Sequence, residues 1–280
     1  MTKPGIIRGN LITAIGAFLF ASKGEVNVGL FIYAMAGIAL VIASACVFNN
    51  YIDRDIDRAM ERTKQRALAK SSIKPVNALI FGTIIGLAGL IILGVFVNTL
   101  TMALGFLAFL VYVILYGFTK RRSEHGTLVG SISGALPITA GYTSVAGKID
   151  EVALILFFIL VFWQMPHFYS IAIFRMKEYQ AAKLPMLPIK KGILNTKIQI
   201  TIYLLFFFMA VSWLYIQGHA SATYQVIMTL ATAFWLGTTI KGFEIKNNKD
   251  DKAWAISMFK VSLNVLALFS FVIAIDNFLP

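Results

Sequence analysis

Asn49, Asp53 and Asp57 stand four residues apart, where a long apolar segment runs out into a loop carrying Arg58, Arg62, Lys64 and Arg66. On a helix, positions i, i+4 and i+8 share a face, so this spacing stacks one amide and two carboxylates along a single stripe. Like charges at that spacing cost a helix about 0.2–0.5 kcal/mol. Anions near a helix C-terminus also oppose the macrodipole. A divalent cation would offset both penalties. Oxygen ligands with no Cys or His among them suit Mg²⁺, which binds through one or two carboxylates and completes its shell with substrate phosphates. Asn49, Asp53 and Asp57 are therefore the expected metal set. Asp55 lies off the stripe and is expected to face solvent beside an arginine.

Two further constellations carry chemistry. Tyr116 and Lys120 share a helix face, with Arg121 and Arg122 behind them. A Tyr and a Lys at a membrane boundary are common anchors on their own. Next to the acidic stripe they point to a diphosphate held between Mg²⁺ and cationic side chains, lysine as a point charge and arginine as a fork. Arg62, Lys64, Arg66 and Arg121 are the expected phosphate contacts. The third constellation, Trp163-Gln164-Met165-Pro166-His167-Phe168, leads into Arg175, Glu178 and Tyr179. A histidine in an apolar run is either a core residue bonded to a neighbouring helix or a substrate contact. His125 and His219 read as loop residues.

The elements that must position these groups are membrane helices. Hydrophobic residues are 58% of the 280 and mean hydropathy is +0.77. Nine apolar runs of spanning length are expected, near 6–22, 28–52, 76–97, 101–118, 128–146, 152–174, 198–217, 223–240 and 254–278. No cleavable leader precedes the first, so it is expected to remain a helix. Inside a bilayer only helices satisfy their own backbone, so the fold is all-α and polytopic. Gly126, Gly130 and Gly134, and Gly82 with Gly86, have the spacing that lets helices approach closely.

Net charge is +12, yet its distribution removes any need for nucleic acid. If the N-terminus is cytoplasmic and loops alternate sides, all of the 25 Lys and Arg residues except Lys23 and Lys148 fall inside. That is the positive-inside bias, with contact to anionic membrane lipid as a corollary. It puts the N-terminus on the cytoplasmic side and Pro280 outside. The long charged loops 54–75 and 175–197 are then cytoplasmic, and their helical spacing reads as partly helical caps over a site on that side. Cys46 is the only cysteine, which excludes an intrachain disulfide and a Cys-based metal cluster.

Together these residues resemble the UbiA-type intramembrane prenyltransferases. The likeness is carried by Asn49 to Asp57, by Arg62-Thr63-Lys64-Gln65-Arg66 and by Tyr116 with Lys120. Thr2-Lys3-Pro4-Gly5, Cys46 to Asp53, Trp163 to His167, Phe174-Arg175 and Tyr179-Gln180-Ala181-Ala182 resemble its haem-modifying members more narrowly. The resemblance implies one prenyltransferase domain over 1–280, with nine helices around a central cavity in a bacterial cytoplasmic membrane. It implies Mg²⁺-assisted ionisation of farnesyl diphosphate and transfer of the farnesyl group to a vinyl group of protohaem IX. Asn49, Asp53, Asp57, Tyr116 and Lys120 would then be catalytic, with Arg175, Glu178, Tyr179 and His167 among the substrate contacts. Terminal oxidase assembly factors are the partners it implies. Departures are specific: Asn50 stands where many relatives have Asp, Ala67 where they often have Pro, and Glu178 is the sole acid of the second acidic motif.

Alternatives are a relative acting on a quinone precursor or other aromatic acceptor, a transporter, and a structural oxidase subunit. The first would carry a fuller second acidic motif. A transporter would place its ionisable groups nearer the midplane.

Overall fold

Nine long helices form where the apolar runs lie, as seen in a computed structural model that describes residues 1–245 and 247–279. They are α1 (Pro4–Ser22), α2 (Val28–Ile52), α4 (Pro75–Phe96), α5 (Thr99–Leu110), α7 (Gly126–Ala146), α8 (Glu151–Phe174), α11 (Gly192–Ile216), α12 (Ala222–Lys241) and α13 (Asn248–Ile275). Short helices cap the loops at one end: α3 (Arg54–Ala59), α9 (Met176–Ala181) and α10 (Leu187–Lys190). Helix α5 continues through a π-helical turn, Val111–Tyr116, into α6 (Gly117–Thr119). No strand occurs among the described residues.

Local chemistry sets the helix starts. Asn27, Asn98, Asp150 and Ser221 each accept a backbone N–H three residues on, and such caps contribute about 1 kcal/mol each. Asn98 both ends the third apolar run and caps the fourth, which makes a two-residue break sufficient.

Among the described residues, eight helices are long and apolar enough to cross a membrane. The fifth expected span, α7, falls short because it is rich in Gly, Ser and Thr. It is an interior helix packed by α1, α5 and α8, and most of its residues are buried. It needs no lipid-facing apolar surface. Its hydroxyls on Ser131, Ser133, Thr139, Thr143 and Ser144 bond to carbonyls of α7 itself, so they are satisfied without water.

Two boundaries differ from expectation. Helix α11 begins six residues early, at Gly192, and α13 at Asn248 rather than Trp254. The added turns carry Lys197 and Asp251, which pair at 2.5 Å while Lys197 also donates to Gly242 O at 2.6 Å. Charge that reads as loop is here buried and compensated. The loop 175–197 is correspondingly shorter than its charge implies. The expectation for Pro280 lies outside the described residues.

Candidate active site

The acidic stripe sits at the α2–α3 junction. Asp53 leaves helical geometry, but its N–H still donates to Asn49 O at 2.9 Å, and Asp57 N–H to Asp53 O at 2.7 Å. The helical register therefore runs through the break and Asn49, Asp53 and Asp57 remain on one face. All three are buried, at 2%, 7% and 4% exposure. Burying carboxylates requires counter-charge, and it arrives from three other segments.

Lys120 donates to Asp53 Oδ2, and Arg121 Nη2 lies 3.5 Å from Asp53 Oδ1. Arg121 also grips both oxygens of Asp55 at 2.8 Å and donates to Ile52 O at 2.7 Å. Asp55 is thus the exposed arginine partner its position off the stripe implies. Arg66 Nη1 reaches both oxygens of Asp57, at 2.8 and 2.9 Å, and Asn50 Oδ1 at 3.3 Å. Lys3, just ahead of α1, donates to Asn49 Oδ1.

The glycine stripe of α7 holds the Tyr116–Lys120 face in place. A Cβ on Gly130 would stand 3.0 Å from the Tyr116 ring, and one on Gly126 only 2.6 Å from Lys120 Cα. Side chains at either position would push this pair off the stripe. Lys120 Nζ lies 4.9 Å from the centre of the Tyr116 ring, which stacks on Tyr112.

The second long loop joins the first through Glu178. Arg175 donates to it at 2.8 Å, and Arg62 Nε lies 3.9 Å away. Burial raises the Tyr179 hydroxyl above its ordinary pKa, against the opposing charges of Arg62 and Arg175. Lys64 is left out: it pairs with Glu61 at 2.7 Å on an exposed surface. His167 touches none of the acids. Its Nδ1 lies 2.7 Å from Ser262 Oγ, its ring stacks on Trp163, and Trp163 Nε1 donates to Ser262 O at 2.8 Å. This cluster fastens α8 to α13.

Charge and burial shape the titration of the groups outside the spans. Burial lowers Lys3 to about 8. Burial also lowers Lys120, against the pull of Asp53. The hydrogen bond to Asp55 raises Arg121 and holds the Asp55 carboxyl well below the usual range.

Sequence reasoning missed Lys3, Asn50 and Thr63 as parts of this cluster. Asn50 Nδ2 donates to Met1 O at 2.6 Å, and Thr63 Oγ1 donates to Asp57 O at 3.1 Å. A cavity of about 230 Å³ lies here, lined by Met1, Lys3, Asn50 and Arg66 among others. A lysine before Pro4 looks like any membrane anchor; only the fold brings it to Asn49.

The donor set fits a diphosphate. Among the described residues, Asn49 Nδ2 and Arg121 Nε are buried N–H groups without an acceptor. Leaving such a donor unmade costs about 1–3 kcal/mol, and phosphate oxygens would satisfy both. For a metal, the residues offer two carboxylates on successive turns and an amide oxygen shared with Lys3. Among the described residues no group of three His, Cys, Asp or Glu could hold an ion. Mg²⁺ would therefore need phosphate oxygens or water to complete six ligands, as it ordinarily does.

The chain matches the UbiA prenyltransferase family over residues 10–264, and it belongs to that family. Among its relatives are proteins named Protoheme IX farnesyltransferase. That of Citrobacter koseri is 48% identical over 281 residues, covering 100% of this chain and 94% of the relative. That of Escherichia coli O1:K1 is 47% identical over the same shares. Solved structures share the fold. A digeranylgeranylglyceryl phosphate synthase superposes with a TM-score of 0.79 at 19% identity, covering 97% of this chain and 94% of that one. A UbiA homologue from Archaeoglobus fulgidus, bound to GPP and Mg²⁺, gives 0.67 at 13% identity, covering 96% of each chain.

Proposed function

We propose that this chain transfers a farnesyl group from farnesyl diphosphate to a vinyl group of protohaem IX. The observation that carries the reading is full-length likeness, 48% identity, to a Protoheme IX farnesyltransferase in a chain whose acidic stripe and cations are interlocked. The chain acts as a single domain of nine spans. Its N-terminus and site face the cytoplasm, as the charge bias supports, and its C-terminus lies outside.

Asp53 and Asp57, with Asn49, would hold Mg²⁺. When bound there, the ion would supply Lewis-acid neutralisation of the leaving diphosphate. Lys120, Arg121, Arg62 and Arg66 take the phosphate oxygens, so charge is met as the C1–O bond lengthens. Asn49 Nδ2 and Arg121 Nε, both without an acceptor, supply two more donors. Tyr116, packed between Tyr112 and Gly130, keeps bulk water from the allylic cation. The vinyl group forms the new C–C bond to C1. Water then adds to the resulting cation and releases a proton, leaving a hydroxyethylfarnesyl substituent. Arg175, Tyr179 and His167 contact the haem.

Expression followed by pigment extraction tests the reading. Farnesylated haem is expected, and its dependence on Asp53 ties it to this site. A prenylated quinone precursor with unmodified haem would instead support a different acceptor within the family.

A further inference from the structure

We infer that an anionic phospholipid binds in a groove beside the active site, along Ile52 and Arg121, the residue that also reaches Asp53. The groove measures about 690 Å³ and opens between the end of α2, α3 and the π-helical turn with α6. Ile52, Val113, Ile114, Gly117 and Phe118 form its apolar part, and Arg54, Arg58 and Arg121 its basic rim. Ile114 and Phe118 belong to a span and are 58% and 56% exposed, so this wall faces acyl chains.

The rim is cationic beyond what its own acid neutralises. Asp55 is already held by Arg121. Arg54 and Arg58 have no carboxylate partner among the described residues. They are fixed by neutral oxygens instead: Arg54 by Tyr51 O at 2.8 Å, Arg58 by Ala69 O at 2.6 Å and Ser71 Oγ at 2.9 Å. Two guanidiniums are thus pre-oriented at the membrane surface with charge left over, the arrangement that attracts anionic headgroups.

Gly117 leaves the floor open. A Cβ there would meet only Ile52 Cδ1, at 4.0 Å. Nothing in the packing forbids a side chain, and its absence leaves width for a lipid chain. The headgroup phosphate lies at Arg54 and Arg58, with a chain along Val113, Ile114 and Phe118.

Native mass spectrometry on the full-length protein in detergent tests this with phosphatidylglycerol, phosphatidylcholine and inorganic phosphate as probes. One phosphatidylglycerol should be retained at least five-fold better than phosphatidylcholine, with no retention of phosphate alone. Arg54→Gln with Arg58→Gln should abolish that preference. Gly117→Leu, which fills the floor and keeps the rim, should lower retention of both lipids. Equal retention of the two phospholipids by the unaltered protein would overturn the inference, whatever the variants do. So would displacement of phosphatidylglycerol by stoichiometric farnesyl diphosphate, which would make the groove part of the donor site.

Discussion

The Asp53–Asp57 cluster and the Trp163–His167 cluster are built on opposite plans. The first is ionic and gathers side chains from four separate stretches: the N-terminal residues, the α2–α3 junction, the loop after α3 and the loop after α6. The second is aromatic, and two helices suffice, with His167 and Trp163 both bonded to Ser262. Among the described residues, the first has buried donors left unpaired and the second has none. A pyrophosphate leaving group needs many dispersed charges, whereas a flat apolar acceptor needs a wall. The difference teaches that the two substrates are to be sought at different kinds of surface.

Removing charge from the stripe should break this contrast most severely. Asp53→Asn or Asp57→Asn should lower turnover by roughly 10²–10³-fold, as loss of a transition-state charge contact does. Asparagine is the variant of choice, because alanine would leave Lys120 or Arg66 facing a void. Near-normal farnesyl transfer by both variants would remove the stripe from the chemistry.

Lys120→Met should act chiefly on the donor. A rise of about ten-fold in its KM corresponds to about 1.4 kcal/mol. An unchanged donor KM, measured in the same detergent, would count against phosphate contact.

At the aromatic cluster, His167→Ala should raise the acceptor KM by roughly five-fold, about 1 kcal/mol, and leave the donor KM alone. Equal change in both constants would mean that His167 only holds α8 to α13.

The smallest effect concerns pH. Lys3, lowered to about 8 by burial, is charged below that pH and neutral above it. Affinity for pyrophosphate should therefore weaken as pH rises through about 8, by a few-fold. Lys3→Arg, which stays charged, should flatten that dependence. A slope unaltered in the arginine variant would assign the titration elsewhere.

Much of this was legible from residue order. Helix positions follow from hydropathy, because the bilayer imposes a length. The acidic stripe follows from four-residue spacing. What escaped detection shares one cause: it depends on tertiary contact. Lys3 lies 46 residues from Asn49, and no local pattern links them. Lys64 has the same charge and neighbourhood as Arg66, yet one turns to Glu61 and the other to Asp57. The early starts of α11 and α13 were hidden because Lys197 and Asp251 neutralise each other only across helices.

The polar interior of α7 bears on how the protein reaches its membrane. A segment short of the hydropathy of the other eight gains too little from lipid to stay in the bilayer unaided. Helices α1 and α5 are synthesised before it and α8 after it, so a nascent chain halted just beyond Ala146 lacks one wall of its seat. Such a truncated chain should leave this stretch accessible to water-soluble cysteine reagents from a probe introduced at Ser133, and extension through α8 should shield it.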